Sequence, residues 1–473
     1  MSCLRHPSSS WLSFTILATI IYSDIIGSIH GHAHDSISHH KRKKKDVSSE
    51  QSTGSHFLGT SGDIFTGERI REYAGPKLNK NIITKNSMKH KNSIFENHRI
   101  DDGESLIGCT KWSVVTTIYE ISLAIHRTLK LGSTWCTVVV ADRKTPVASY
   151  VGLKRLVLLT KDDQIKISES SPFVNAMPWD HFGRKNIGYL YAMSRGAQYI
   201  FDFDDDNELR LNLNSSEAVS PLPSPIDKLG VAAVDTRTTN VFNPYLYFRA
   251  KNRAAWPRGF PLANITQSAT YDVGIRHDRN IGSDSVAIFQ ALANHDPDVD
   301  AIFRLTQRHS QFDFGENIPP IVVPAGIYTP FNAQSTVHFP WAYMFMFLPI
   351  SVPGRVSDIW RSYIAQRLLW DAGKYIAFTK PMVIQKRTTH NFMRDFDAEQ
   401  DLYYKSGAFI NFLAKWDGSH LPSMPERMEL LYIDLFERNY IKLSDVLAVQ
   451  AWLTTLIEEG YDFPKPLRTR QVK

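Results

Sequence analysis

Between Lys111 and Asn207 the chain alternates short β-branched runs with segments of helical spacing, and no other feature constrains the fold as much. Trp112-Ser-Val-Val-Thr-Thr-Ile118 reads as a buried strand, and residues 120–131 carry Ile121, Leu123, Ala124, Ile125 and Leu129 at helical intervals. Trp135-Cys-Thr-Val-Val-Val-Ala141 gives a second buried strand and Arg155-Leu-Val-Leu-Leu159 a third. Gly188 to Arg195 reads as a helix, and Gln198-Tyr-Ile-Phe-Asp-Phe203 as a fourth strand. Apolar strands joined through helices predict an α/β domain whose sheet is covered on both faces. Ligands of such sheets bind beyond the carboxyl ends of the strands, so the polar residues that follow each strand are the candidates.

Those residues are Thr116 and Thr117, then Asp142, Arg143, Lys144 and Thr145, then Asp204-Asp205-Asp206-Asn207. Asp142 is placed for a ribose or base edge, and Arg143 or Lys144 for a phosphate. Three adjacent carboxylates raise one another's pKa and cost stability, a cost that a divalent cation removes. Magnesium and manganese take hard oxygen ligands, commonly one or two carboxylates plus phosphate oxygens. A solvated acidic turn is the plain alternative. Asp202 is expected within the strand, on the face opposite Phe201 and Phe203. Asp298-Val-Asp300 has no long apolar strand before it and reads as structural or acceptor-side.

The formal charge of +6 is concentrated at the start: residues 1–100 hold 14 Lys/Arg against 8 Asp/Glu, and the remainder balances. Nothing in the neutral part suggests a nucleic-acid surface. Residues 11–27 form an apolar run broken by Asp24, which reads as a signal anchor or a cleaved signal peptide, the anchor preferred. Residues 28–105 are Ser-, His-, Lys- and Asn-rich and read as a disordered stem. The apolar stretch Phe339–Ile350, with Pro340 and Pro349 near its ends, is too short to span a bilayer and reads as a buried element. Three cysteines exclude a disulfide scaffold, and Cys109 and Cys136 are either bridged or two separate thiols. Asn214-Ser-Ser and Asn264-Ile-Thr are glycosylation sequons if that part is translocated, Asn264 being favoured because Asn214 follows the acidic triplet closely.

The order strand, Asp142-Arg-Lys-Thr-Pro146, Asn186-Ile-Gly-Tyr-Leu-Tyr-Ala-Met-Ser-Arg-Gly-Ala197, Phe201-Asp-Phe-Asp-Asp-Asp-Asn207 resembles the GT-A class of glycosyltransferases. More closely, the chain resembles the STELLO-type Golgi glycosyltransferase-like family. The resemblance runs through Lys111-Trp-Ser-Val-Val-Thr-Thr117, Phe242-Asn-Pro-Tyr245, Trp256-Pro-Arg-Gly-Phe-Pro-Leu262, Pro330-Phe-Asn-Ala-Gln334 and Arg355-Val-Ser-Asp-Ile-Trp-Arg361, across nearly all of 108–416. It implies a GT-A-like mixed, mostly parallel sheet flanked by helices, in a single-pass type II Golgi membrane protein with a lumenal domain, or a secreted one after signal cleavage. The expected layout is a tail at 1–10, the anchor or signal at 11–29, the stem at 30–107, the GT-A-like domain at 108–420 and a C-terminal helical extension at 421–473.

The resemblance further implies a nucleotide-sugar donor, expected to be a UDP-sugar, a glycan acceptor and, as a partner, a glycan synthase. The donor is expected at Thr116, Thr117, Asp142, Arg143, Lys144 and Asp205. Mn2+ or Mg2+ is expected at Asp204 and Asp206, with His390 as the late histidine that completes the shell in GT-A enzymes. Asp358, at the start of an expected helix from Ile359 to Trp370, is either an N-cap or the general base of an inverting transfer. A non-catalytic scaffold with the same fold is the rival reading.

Overall fold

The computed structural model describes residues 93–95, 106–212, 214–222, 230–233, 239–268, 274–276, 282–387 and 391–467. The expected anchor at 11–29, nearly all of the stem, and His390 lie outside the described residues.

The four strands read from the sequence form one half of the sheet. They are β1 (Lys111–Thr117), β2 (Trp135–Ala141), β3 (Leu156–Leu159) and β4 (Tyr199–Phe203). They run parallel in the order β3-β2-β1-β4, with Thr116 opposite Val140 and Val114 opposite both Val138 and Asp202. Their crossovers carry α1 (Leu123–Thr128), α2 (Lys161–Ser170), α3 (Pro172–Ala176) and α4 (Lys185–Ser194). Thr160 and Asp163 close a capping box on α2, which satisfies its first free amides.

Beyond β4 the sheet becomes mixed. β5 (Asn207–Leu209), β6 (Gly230–Ala233), β7 (Gly274–Arg276), β8 (Val286–Asn294), β9 (Ile321–Val323), β10 (Ser335–His338) and β11 (Tyr375–Gln385) complete eleven strands among the described residues. β10 lies antiparallel between β4 and β8, β11 runs parallel to β8, and β5 turns back onto β11. The remaining helices are α5 (Pro244–Tyr247), α6 (Ile265–Ser268), α7 (Ala301–Thr306), α8 (Gly354–Asp371), α9 (Phe392–Ala398), α10 (Gln400–Lys415), α11 (Met424–Glu437) and α12 (Leu443–Glu458).

Side-chain alternation along the strands builds two cores. Val114, Val138, Val140 and Ile200 face one layer, which α4, α8 and the C-terminal helices cover. Val115, Val139, Phe201 and Phe203 face the other, against α1 and Tyr150. Residues 424–458 join the first core: Trp452 packs on Phe173 and donates its Nε1 proton to the Met344 carbonyl. The stretch after Phe339 is a 3-10 turn, Pro340–Met346, buried from Ala342 onward. Among the described residues no helix is long and apolar enough to cross a membrane.

Candidate functional site

The carboxyl ends of β1, β2 and β4 meet at the acidic turn. β4 ends at Phe203, and the Asn207 side chain accepts the Asp204 amide, folding Asp204–Asp206 into a tight turn. The Thr117 hydroxyl donates to the Asp205 carboxylate. The Thr145 hydroxyl donates to the Thr117 carbonyl at 2.5 Å and accepts the Asp142 amide at 2.8 Å, tying the β2 loop to the end of β1. The Tyr150 hydroxyl reaches the Tyr119 carbonyl at 2.8 Å. Thr117, Thr145, Asp142 and Asp205 are thus brought together, as the sequence suggested for three of them.

Desolvation pushes the Asp204 carboxyl up to about 7, with Asp206 and Asp202 adding to it and Lys185 opposing it. Desolvation also raises Asp205, against the Thr117 hydrogen bond. Lys185, at the first position of α4, is fully buried and contacts Asp202 at 2.6 Å and Asp204 at 3.1 Å. Burial would lower its pKa, but those two carboxylates raise it. Asp202 points, as expected, away from Phe201 and Phe203, which stack with centroids 5.3 Å apart. It pairs with Arg361 of α8 at 2.9 Å, and Lys185 and Arg361 outweigh its burial and hold it ionised. Beneath the acidic turn, therefore, lies a buried charge network.

The other expected residues fall in different places. Thr116 spends its hydroxyl on the Val140 carbonyl within the sheet. Asp142 accepts the amides of Arg143 and Asp180 and orders its own loop, while Arg143 is exposed and paired with Asp180 at 3.1 Å. Lys144 is exposed. Asp358 is not an N-cap: α8 begins at Gly354 with Pro353 as its cap, so Asp358 lies in the second turn. It is buried, and Arg258 grips it twice, Nη1 to Oδ1 at 3.0 Å and Nη2 to Oδ2 at 2.8 Å. Asp298 and Asp300 are structural. Asp298 is held well below the usual carboxylate range by Arg258, against its burial. Asp300 N-caps α7 through the Phe303 amide and takes the Trp256 Nε1 proton. Trp256 and Phe260 are core residues, whereas Trp341 is 45% exposed beside Lys374. Asn214 is exposed and Asn264 half-buried, so closeness to the acidic triplet does not shield Asn214. Cys109 and Cys136 form a disulfide, Cα–Cα 5.7 Å, which settles the alternative left open by the sequence.

Lys185 was missed because a lone lysine opening a helix reads as a solvated residue. Its only sequence signal is position: it opens the helix that leads directly into β4. Trp179, half-buried with the Arg184 guanidinium 3.4 Å from its ring centroid beside the Asp142 loop, was missed too. Among the described residues no group of three or more His, Cys, Asp or Glu is arranged to hold a metal by itself. The acidic turn nevertheless fits a hard cation: its donors are all oxygen, and three adjacent carboxylates share one tight turn, whose mutual repulsion a cation would relieve.

Residues 355–473 match the family described as STELLO glycosyltransferases. The chain is also 30% identical over 370 residues to an Arabidopsis thaliana protein named "Probable glycosyltransferase STELLO1", the match taking in 75% of this chain and 45% of that one. The chain thus resembles the STELLO family, by a family match over its C-terminal quarter and by similarity to this relative over most of its length. A second Arabidopsis thaliana STELLO protein, "Probable glycosyltransferase STELLO2", is 28% identical over 369 residues, 75% of this chain and 46% of its own. The chain therefore spans less than half the length of the STELLO relatives it matches. Among solved structures, M. tuberculosis glucosyl-3-phosphoglycerate synthase aligns over 70% of this chain and 89% of its own at 9% identity and a TM-score of 0.28, too distant to carry any inference.

Proposed function

We propose that this STELLO-like chain is a lumenal glycosyltransferase that binds a nucleotide-sugar, expected to be a UDP-sugar, with Mn2+ or Mg2+ at the acidic turn and transfers the sugar to a glycan. The observation that carries the reading is the tight turn of three carboxylates, Asp204–Asp206, at the carboxyl end of β4, with the Thr117 hydroxyl on Asp205. Asp204 and Asp206 would hold the cation, Asp205 and Thr117 would face the donor, and diphosphate oxygens and water would complete the coordination. The cation supplies neutralisation of the departing diphosphate. His390 remains a candidate ligand. The Cys109–Cys136 disulfide and the exposed Asn214 sequon support an oxidising, glycosylating compartment. The expected setting is the Golgi, with the apolar run 11–27 as type II anchor.

A second reading has one observation behind it: Asp358, the nominated general base, is committed to Arg258. A chain of this kind that keeps the donor site without a free base would act as a scaffold for glycan synthases. One experiment addresses both. Saturating UDP with Mn2+ should raise the Tm by about 5 °C at a hundredfold excess over Kd. UDP alone should give a much smaller shift, and Asp204→Ala/Asp206→Ala should abolish the metal-dependent part. A double variant that keeps the full shift removes the acidic turn from the donor site. Binding without hydrolysis or transfer of any common nucleotide-sugar selects the scaffold.

A further inference from the structure

Lys185 Nζ is fully buried yet meets four oxygens: Asp202 Oδ1 and the Phe203 carbonyl at 2.6 Å, Asp204 Oδ1 and the Ala333 carbonyl at 3.1 Å. Three of these belong to the end of β4 and the first residue of the acidic turn. The fourth belongs to the loop Pro330–Gln334, which reaches β10 from the opposite side of the site. That loop is itself pinned: the Ala333 amide donates to Asp358 Oδ2 at 3.3 Å, and Asn332 Nδ2 donates to Asp298 Oδ2 at 2.8 Å. Arg258 holds both of those carboxylates. A continuous set of contacts therefore runs from Asp204 through Lys185 and Ala333 to Asp358 on α8 and its partner Arg258.

We infer that Lys185 is the positioning residue of the donor site, fixing Asp204 and locking the acidic turn to the loop Pro330–Gln334. An ammonium suits this role, because its three protons point in separate directions and one group can serve both carboxylates and backbone oxygens at once. A neutral side chain there would leave Asp202 and Asp204 without the cation between them, and breaking such a buried arrangement is strongly unfavourable. Asp202 keeps a second partner in Arg361, so the lysine is specific in what it adds: a bond to Asp204 and a bond to the loop. The functional consequence rests on the donor-site reading, whereas the mechanical link does not.

The test uses K185M/D202N, in which the second change keeps the buried charge balanced after loss of the ammonium, with D202N as the control that keeps Lys185 and shares the same change at Arg361. Hydrogen–deuterium exchange on the purified chain should show the peptides covering 203–207 and 331–335 exchanging at least tenfold faster in the double variant than in D202N. The α12 peptides should keep their wild-type rate. Unchanged exchange in either segment overturns the link, as does equal acceleration in D202N. In the same proteins the Kd for Mn2+–UDP should weaken at least tenfold in K185M/D202N relative to D202N. Faster exchange with an unchanged Kd overturns the positioning role. Wild-type protein that binds no Mn2+–UDP overturns the donor-site reading instead, and the exchange data then decide the link alone.

Discussion

Asp358 shows how the place of a residue in a helix can be misread from its sequence neighbours. The sequence puts a carboxylate ahead of an apolar helix, the pattern of an N-cap. In the fold the helix starts four residues earlier, because Gly354, Arg355, Val356 and Ser357 continue it back to Pro353. Asp358 therefore turns inward, where Arg258 takes both oxygens and the amides of Ile359 and Ala333 donate to them. Asp358→Asn keeps the shape but removes the charge that Arg258 is buried to meet. Breaking a buried pair by neutralising one partner costs about 3–5 kcal/mol. Urea unfolding of the Asn variant should show a loss of that size. A variant that unfolds at the wild-type urea concentration yet has lost turnover would restore Asp358 as a general base.

At the scale of elements, the helix that leads into the acidic turn is fitted to the sheet through one glycine. An added Cβ on Gly188 of α4 would sit 2.7 Å from methyl groups of both Val114 and Val140, so α4 lies directly against β1 and β2 at that point. Gly188→Ala should cost about 1–3 kcal/mol through overpacking, partly offset by alanine's better helix propensity. Gly188→Leu should prevent stable folding; thermal melts of the two variants check both, and a wild-type Tm in the leucine variant would contradict the packing. This half of the fold was legible because β1 to β4 each carry a run of apolar residues and their connections are local. β5, β9 and β10 are strands of three or four residues with no periodicity to read, and β10 enters beside β4 from more than a hundred residues away. The acidic turn was legible for the same reason as β4, which it follows. Lys185 was not, since its burial depends on Asp202 and Asp204 at the end of β4 and on Ala333 from a loop more than a hundred residues away.

For the whole molecule, the chain enters the large mixed sheet at β1, an interior strand between β2 and β4, and that entry is tied down. Just before β1, the Cys109 amide bonds back to the Leu106 carbonyl, and those of Thr110 and Lys111 bond to Thr134. The disulfide from Cys109 to Cys136 joins that entry to β2, beside the cluster in which Trp112 and Phe95 both pack edge-on against Tyr191. The bridge spans a sequence separation of 27, so in the chain-entropy account it restricts the unfolded state by about 3.5 kcal/mol. The folded contacts around it are apolar and survive replacement by two serines with little rearrangement, because the backbone pairing of β1 with β2 does not depend on sulfur. Cys109→Ser/Cys136→Ser should therefore fold, unfold at lower urea with a stability loss of about 3–4 kcal/mol, and become insensitive to reductant. Wild-type protein treated with dithiothreitol should move to the same midpoint. If reductant leaves the wild-type midpoint unmoved while mass spectrometry shows two free thiols, the bridge contributes nothing to stability, and the support it lends to a lumenal site of action is withdrawn.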